Sequence, residues 1–499
     1  MNWNSSLLLL ILATSLLPGM VIFFLPEERV DIRTTLNMAG AVLKLVLVAV
    51  MIWGVFHGHQ YETRLPLLPD GLDLVLRADA ESVLFITLST VLWLLTTVYA
   101  IGYLEGSPHR SRFFGFFSLC VTATVGVALA GNLITFLLFY ELLTLSTYPL
   151  IVHRGTEEAR RAGRTYLMYT IAGGALLLVG TVWLYNVAGS LDFTHRGVVA
   201  GLGASNRAAL IVIFVLLIAG LGVKAALIPL HGWLPRAMAA PAPVSALLHA
   251  VAVVKAGAFG IVRVVDDIYG VEFAASLGVT GPLAVLAAMT IIYGSLRALF
   301  QDDLKRRLAF STVSQVSYIT LGIAIAGPMA TIGGLVHLVH QGIMKITLFF
   351  CAGNLAETLG VHKISEMNGV GRRMPWTMAA FSIGALGMIG VPPLAGFVSK
   401  WYLGLGALEA GQDWVIVVLA ASSLLNAGYF LPVLYAAWFK APPDAWPAER
   451  FWGRRETAWS LLLPPVVTAL LTLAAGLLAA APFSPLQWAH FITIQEYAP

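Results

Sequence analysis

The chain has 499 residues, of which 58% are hydrophobic and 11% charged, with a mean hydropathy of +0.83 and a formal net charge of +4. A soluble domain carries about a quarter charged residues because its exterior meets water. This composition therefore excludes a soluble globular fold and places most of the exterior in lipid. The small positive balance resides in loops and implies no nucleic-acid partner. Cys120 and Cys351 both lie in apolar stretches without metal-ligand spacing, which fits buried structural thiols. With no phosphate loop and no ligand set for a redox group, neither a metal, a cofactor nor a catalytic site of the chain's own is expected.

A membrane-spanning helix needs roughly 20 apolar residues. Such stretches recur at 7–25, 37–56, 81–103, 113–130, 133–152, 166–188, 208–228, 243–262, 274–296, 308–326, 330–352, 375–408 (interrupted), 414–438 and 457–481. The reading is an all-α polytopic membrane protein of about fourteen helices. The first stretch lacks a basic leader and a small-residue cleavage site, so it reads as a retained helix. Outside the helices, twenty Lys and Arg residues fall in the loops after odd-numbered stretches, among them Arg110, Arg160, Arg306 and Arg372. Only five fall opposite: Arg64, Arg77, Arg196, Arg207 and Arg263. Lys and Arg accumulate on the cytoplasmic face, so both termini should lie on the non-cytoplasmic side of an inner (plasma) membrane.

Along the chain, Lys44 has only a helix-end argument: it could snorkel or face a partner subunit. Glu141 follows five apolar or aromatic residues in the fifth stretch. Thr156 to Arg161 reads as an amphipathic cytoplasmic loop, and Gln301 to Arg307 as a helix-entry cap. Gly173-Gly174 and Gly333-Gly334 permit close helix approach. Proline punctuates two places, Pro229 to Pro243 with Pro235 and Pro241 between, and Pro392-Pro393. A proline inside a helix frees backbone groups, and at membrane depth such breaks survive only where they line a polar cavity or are buried in protein. The breaks fall in the seventh and twelfth stretches, near Lys224 and Lys400. Paired interruptions suggest an internal repeat, giving four segments: 1–112 (helices 1–3), a repeat over 113–263 (helices 4–8), a repeat over 274–438 (helices 9–13), and 457–499 (helix 14 and tail).

A charge at bilayer depth costs at least ~2.5–3.5 kcal/mol and is a functional hypothesis by default. Glu141, Lys224, Lys255 and Lys345 all lie within largely uncharged helices. Any one could be a structural ion pair, but the set points to proton transfer. Desolvation and a movable carboxylate act in opposite directions on lysine, which makes it a switchable proton holder. Glu141 with Lys224 is the candidate pair. His337, Gln341 and Lys345 recur at four-residue steps along one helical face, and histidine relays protons near neutrality. The candidate path is Glu141, Lys224, His249, Lys255, His337, Lys345 and Lys400. His231, His340 and Gln341 are secondary, since a lone histidine is as often structural.

These residues sit in recognisable wording. Tyr140-Glu141-Leu-Leu-Thr-Leu-Ser-Thr-Tyr148, Lys224 to Pro235, Pro243 to His249 and on to Lys255-Ala-Gly257, Asp303 to Thr312, and Gly390 to Lys400 together resemble the antiporter-like membrane subunits of Mrp-type cation/proton antiporters and respiratory complex I. The resemblance implies fourteen helices with two inverted five-helix repeats and broken helices 7 and 12. It makes Glu141 and Lys224 the charge pair of helices 5 and 7, Lys255 the bridging lysine of helix 8, and Lys400 the terminal lysine of helix 12. The wording around Glu141 and the lysine at 400 look closest to the D component of the Mrp type, and no long lateral C-terminal helix follows, as in the family's shorter members. In helix 11, Gln341 stands where many relatives have a histidine, which favours a water-bridged step there. The implied function is proton translocation within a multisubunit sodium/proton antiporter, with other membrane subunits, the bilayer, protons and sodium as partners. The alternative is a proton-pumping subunit of complex I or a membrane-bound hydrogenase.

Overall fold

The computed structural model describes residues 3–67, 72–202, 206–452 and 455–497. The chain is mostly helical. The first helices are α1 (Trp3–Phe23), α2 (Val30–Phe56), α3 (Ala80–Tyr103), α4 (Arg110–Ala128), α5 (Leu133–Ile151), α6 (Glu157–Ala188) and α7 (Arg207–Ala225). A short α8 (Trp233–Arg236), then α9 (Ala242–Ala250), α10 (Val253–Arg263), a π-helical turn (Val264–Tyr269) and α11 (Val271–Leu277) follow. The remainder comprises α12 (Thr280–Leu299), α13 (Leu304–Ala324), α14 (Pro328–Leu359), α15 (Val370–Arg373), α16 (Pro375–Ile389), α17 (Ala395–Glu409), α18 (Trp414–Phe439), α19 (Trp459–Leu477) and α20 (Pro485–Tyr497). Among the described residues, twelve helices are long and apolar enough to cross a membrane, counting Ala242–Tyr269 as one. The 21-residue α13 and the pair α16/α17 cover the other two apolar stretches of the sequence.

Local chemistry sets several helix starts. Asp79, Asn132, Thr156 and Asp303 each accept a backbone N–H three residues on, at 2.8, 2.9, 3.2 and 2.7 Å, capping α3, α5, α6 and α13. Such caps satisfy donors that a helix start leaves open. Asp303 acts as the sequence suggests. Thr156 corrects it: Glu157 already begins α6, so the acidic and basic run is the first turns of a helix rather than a loop.

α14 is the central shaft. Every residue from Ala330 to Leu355 is buried, and the helix packs against α3, α9, α13, α16, α17, α19 and α20. Small residues make this closeness possible: Gly333 lies on the α17 backbone at Leu403, and Gly334 on Gly322 of α13.

One element lies outside the helical reading. β1 (Tyr61–Pro66) and β2 (Asp73–Ala78) form an antiparallel hairpin in which Tyr61 faces Ala78 and Pro66 faces Asp73. It is tied down by the Val75 amide donating to Thr135 (2.8 Å), Asn132 to the Asp73 carbonyl (2.9 Å), and Thr63 to the Ser5 carbonyl (2.6 Å).

Lys44 corrects a second expectation. It neither snorkels nor faces outward: it is 0% exposed, donates to Ser15 (2.7 Å) and lies over the Trp93 ring at 4.7 Å.

Candidate functional site

Both proline-marked interruptions are present. α7 ends at Ala225, with Ala226 in the left-handed region (φ 58°), and the chain resumes helix only at Trp233. Trp233 steadies this end by donating its indole N–H to the Val223 carbonyl at 2.7 Å. Lys224 occupies the last turn of α7, fully buried. Its ammonium donates to the carbonyl of Tyr140 and stands 3.3 Å from the centroid of that residue's ring.

Glu141, the next residue along α5, is part-buried and interacts electrostatically with Lys224. One of its carboxylate oxygens is buried without a hydrogen-bond partner. Among the described residues no ion pair within 4.0 Å joins the two. The carboxylate lies instead against Gly174 of α6, where a methyl group would collide with it. The glycine pair thus admits α7 on one side, where Gly173 meets the Gly220 carbonyl, and the Glu141 side chain on the other.

The eighth span is broken where no proline marks it. α9 stops at Ala250, and Val251 and Ala252 leave helical geometry (ψ −54° with φ −132°; ψ −88°) before α10 begins. His249 and Lys255 flank this step. Both are 0% exposed, and neither imidazole nitrogen nor the Lys255 ammonium has a hydrogen-bond partner among the described residues. The His249 ring lies 4.5 Å from that of Phe349 on α14.

On α14 itself, His337 Nδ1 meets the Ser399 hydroxyl of α17 at 2.8 Å, and its ring lies 5.0 Å from that of Tyr318. His340 and Gln341 are fully buried with no partner on any side-chain nitrogen or oxygen among the described residues. Lys345 donates to Ser311 (2.6 Å) and to the Leu308 carbonyl (3.3 Å). Ser311 meets the Tyr429 hydroxyl at 2.8 Å, and Tyr429 bonds Asn426, so a polar thread runs from Lys345 into α18.

Lys400 folds back across the second break. It donates to the carbonyls of Met388 (3.1 Å) and Ile389 (2.8 Å), which end α16, and to Ser423 (2.9 Å). These are the carbonyls a helix end leaves free. A cavity of about 380 Å³ borders Lys400, Gly390 and Ser423. His231 lies apart, in the loop after α7, with its ring 4.9 Å from Tyr293.

Sequence reasoning missed the hydroxyl and carbonyl partners: Ser311, Tyr429 and Asn426, Ser399, Ser423 and the backbone of Tyr140. Tyr318 and Gln315, buried with unpartnered side-chain polar atoms on α13, were missed too. Only the four- and three-residue steps from Ser311 to Gln315 to Tyr318 hinted at a polar face.

The family model described as NADH:quinone oxidoreductase/Mrp antiporter, transmembrane, matches residues 130–426, and that for the NADH-ubiquinone oxidoreductase (complex I) chain 5 N-terminus matches 71–114. The chain belongs to this antiporter-like family. NADH-quinone oxidoreductase subunit N of Desulforudis audaxviator is 38% identical over 425 residues, 82% of each chain. The D component of the Na(+)/H(+) antiporter of Bacillus subtilis is 28% identical over 93% of this chain and 92% of its own. A chain in the structure of the Mrp complex from Dietzia sp. DQ12-45-1b superposes with a TM-score of 0.88 at 24% identity, covering 100% of this chain and 98% of that one. At that identity the last likeness carries the fold alone. The family models and the first of these relatives make this an antiporter-like membrane subunit of the Mrp and complex I superfamily.

Proposed function

We propose that the chain is a proton-translocating subunit of a multisubunit antiporter that exchanges protons for a monovalent cation, sodium in the first instance. One observation carries this reading: Glu141 beside a buried Lys224, followed by buried Lys255 and Lys345 and by a half-buried Lys400. Burying three lysines and half-burying a fourth is costly unless they do something with their charge. Lys224 rests on a carbonyl with a carboxylate within electrostatic reach, so its ammonium has two alternative partners. The unpartnered atoms of His249, Lys255, His340 and Gln341 need water as partners, and water joining them supports conduction through segments that side chains do not bridge. Gln341, unable to titrate, then acts as a water holder.

Helices 4–8 and 9–13 are the two inverted repeats on this reading, over 113–263 and 274–438, with 1–112 and 457–499 flanking them. Their lysines at the two broken helices are the corresponding positions. Both termini face the non-cytoplasmic side of the plasma membrane, as the Lys and Arg asymmetry supports.

The 38% identity to a NADH-quinone oxidoreductase subunit favours a second reading, in which the same path belongs to a redox-driven pump. Purifying the tagged chain from its own membranes separates the two. Small hydrophobic subunits without iron–sulfur, flavin or nickel partners are expected. Copurifying redox subunits would transfer the chain to the second reading. Vesicles holding the purified complex should then acidify or alkalise in response to a sodium gradient. A complex indifferent to sodium while still passing protons would remove sodium from the proposal.

A further inference from the structure

A second buried charge cluster, outside the lysine path, lies at the end of the molecule where α1 begins and α20 ends. Arg263, 2% exposed, ends α10 and donates Nη2 to both carboxylate oxygens of Asp79 (2.7 and 2.9 Å) and Nη1 to Asp267 (2.9 Å). Glu81 lies 3.3 Å from the same Nη1. Among the described residues this guanidinium is the one cation inside a group of four carboxyls: Asp79, Glu81, Asp266 and Asp267. Asp79 and Asp267 take its hydrogen bonds. Asp266 is 0% exposed, Glu81 3%, and among the described residues neither oxygen of either side chain accepts a hydrogen bond from an N–H or hydroxyl donor, Glu81 having only its ion pair with Arg263. The two face each other within hydrogen-bonding reach. The π-helical turn Val264–Tyr269 puts Asp266 and Asp267 at this spot, and such turns recur at functional sites.

Four buried carboxyls around one guanidinium cannot all carry charge out of water, and two facing ones that make no hydrogen bond are the pair best placed to hold a proton between them. The carboxyls do not converge as cation ligands would: among the described residues no three His, Cys, Asp or Glu side chains are placed to hold a metal ion.

A line of titratable groups leads from this pair to water. α20 lies over the cluster, fixed by Trp488 donating to the Ala80 carbonyl at 2.8 Å and by Tyr497 meeting Thr331 at 2.9 Å. It carries Glu496, whose side chain is 5% exposed and which acts electrostatically on both Asp266 and Glu81. Glu496 Oε1 in turn meets Nδ1 of His195 at 2.5 Å, and the His195 side chain is 59% exposed.

We infer that Glu81 and Asp266 share an exchangeable proton and that Glu496 and His195 pass it to water, forming the subunit's proton port on the terminal side. The inference rests on the proton-translocating reading and extends it to residues outside the lysine path. In the outward step the carboxyl pair gives its proton to the Glu496 carboxylate. Glu496 gives it to Nδ1 of the neutral His195 ring, and the ring releases the proton on Nε2 to bulk water. Uptake runs the same steps in reverse.

Two measurements on the purified native complex test this. In infrared spectra at neutral pH, Asp266→Asn and Glu81→Gln should each remove intensity from the protonated-carboxyl C=O band. An unchanged band in both variants overturns the shared proton, whether or not the complex transports. A wild-type band that sodium displaces at constant pH overturns it in favour of a cation site. In vesicles, the surface variant His195→Ala should slow proton flux about tenfold, less than the loss of a buried acid–base group because bulk water partly replaces a carrier at the surface. Imidazole added on the terminal side should restore it. Undiminished flux, or a loss that imidazole leaves in place, removes His195 from the port. If the wild-type complex passes no protons, the parent reading fails, while the infrared result still decides the carboxyl pair.

Discussion

The two halves of the molecule hold their buried lysines by different chemistry. Lys224 has a carboxylate, Glu141, within electrostatic reach and a carbonyl in hand. Lys345 has only neutral oxygens, Ser311 and the Leu308 carbonyl, and there is no Asp or Glu between residues 304 and 356. Lys400 likewise rests on two carbonyls and a serine. An ammonium with a nearby anion can exchange partners with a large change in energy, because Coulomb attraction is strong at low dielectric. One cradled by dipoles changes state mainly through water and neighbouring cations. On the proposed reading the first half therefore works as a charge switch at Lys224 and the second as a chain of neutral supports, within one fold.

Removing the switch should have the largest effect. Glu141→Ala is expected to lower proton flux through the reconstituted complex at least about a hundredfold, the scale of losing a positioned acid–base group, with assembly intact by size-exclusion chromatography. Near-normal exchange would erase the distinction between the halves.

Arginine substitutions sharpen the comparison. Arg stays protonated at any working pH, so Lys224→Arg and Lys400→Arg, both at broken helices, should stop conduction. Lys345→Arg, in an unbroken helix, should lose less flux at equal protein level, because the positive charge survives. Robust flux in Lys224→Arg would mean that this lysine need not release a proton.

Gly174→Ala probes the same contrast through packing. Its new methyl meets the Glu141 carboxylate, and overpacking of this kind costs roughly 1–3 kcal/mol. A drop in thermal midpoint together with slowed flux is expected. Unchanged flux would show that the carboxylate is free to move aside.

The smallest effect concerns the terminal side. The hydrogen bond to Glu496 holds the His195 imidazole above its ordinary range. The folded state therefore gains from this pair at acidic pH, and the gain fades as pH rises through the elevated value. Since His195 is more than half exposed, screening keeps the gain small. Hydrogen exchange of α20, corrected for its intrinsic pH dependence, should quicken slightly as pH rises above the unperturbed histidine value of about 6.5. His195→Ala should flatten the trend.

Much of this was legible in the sequence because the bilayer makes strong demands. Long apolar runs, Pro229 and Pro392-Pro393, and charges such as Lys224 within apolar text all report directly on depth and helix continuity. The rest depends on tertiary contact. The step at Val251-Ala252 carries neither proline nor glycine, and packing imposes it. Arg263 reads as one more loop charge until Asp79, Glu81 and Asp267 close around it from distant parts of the chain. Lys44 looks like a helix-end residue until Ser15 and Trp93 enclose it. The strands 61–66 and 73–78 are short and mix polar with apolar residues between two hydrophobic runs, so the surrounding periodicity hides them. Glu141 and Lys224 do come within electrostatic reach of one another, but the Tyr140 carbonyl that holds the ammonium is backbone and leaves no mark in the text.

The position of Lys345 along α14 also has an electrical side. It is the eighteenth of 32 residues in a helix of about 48 Å, close to its midpoint. On the proposed path, a proton passing this level from either face has crossed roughly half of the membrane voltage, about 1.2 kcal/mol for every 100 mV. The field's work on a transported proton is thus divided into two nearly equal instalments. Neither half-step faces the whole membrane potential alone, and voltage should slow uptake and release to similar degrees.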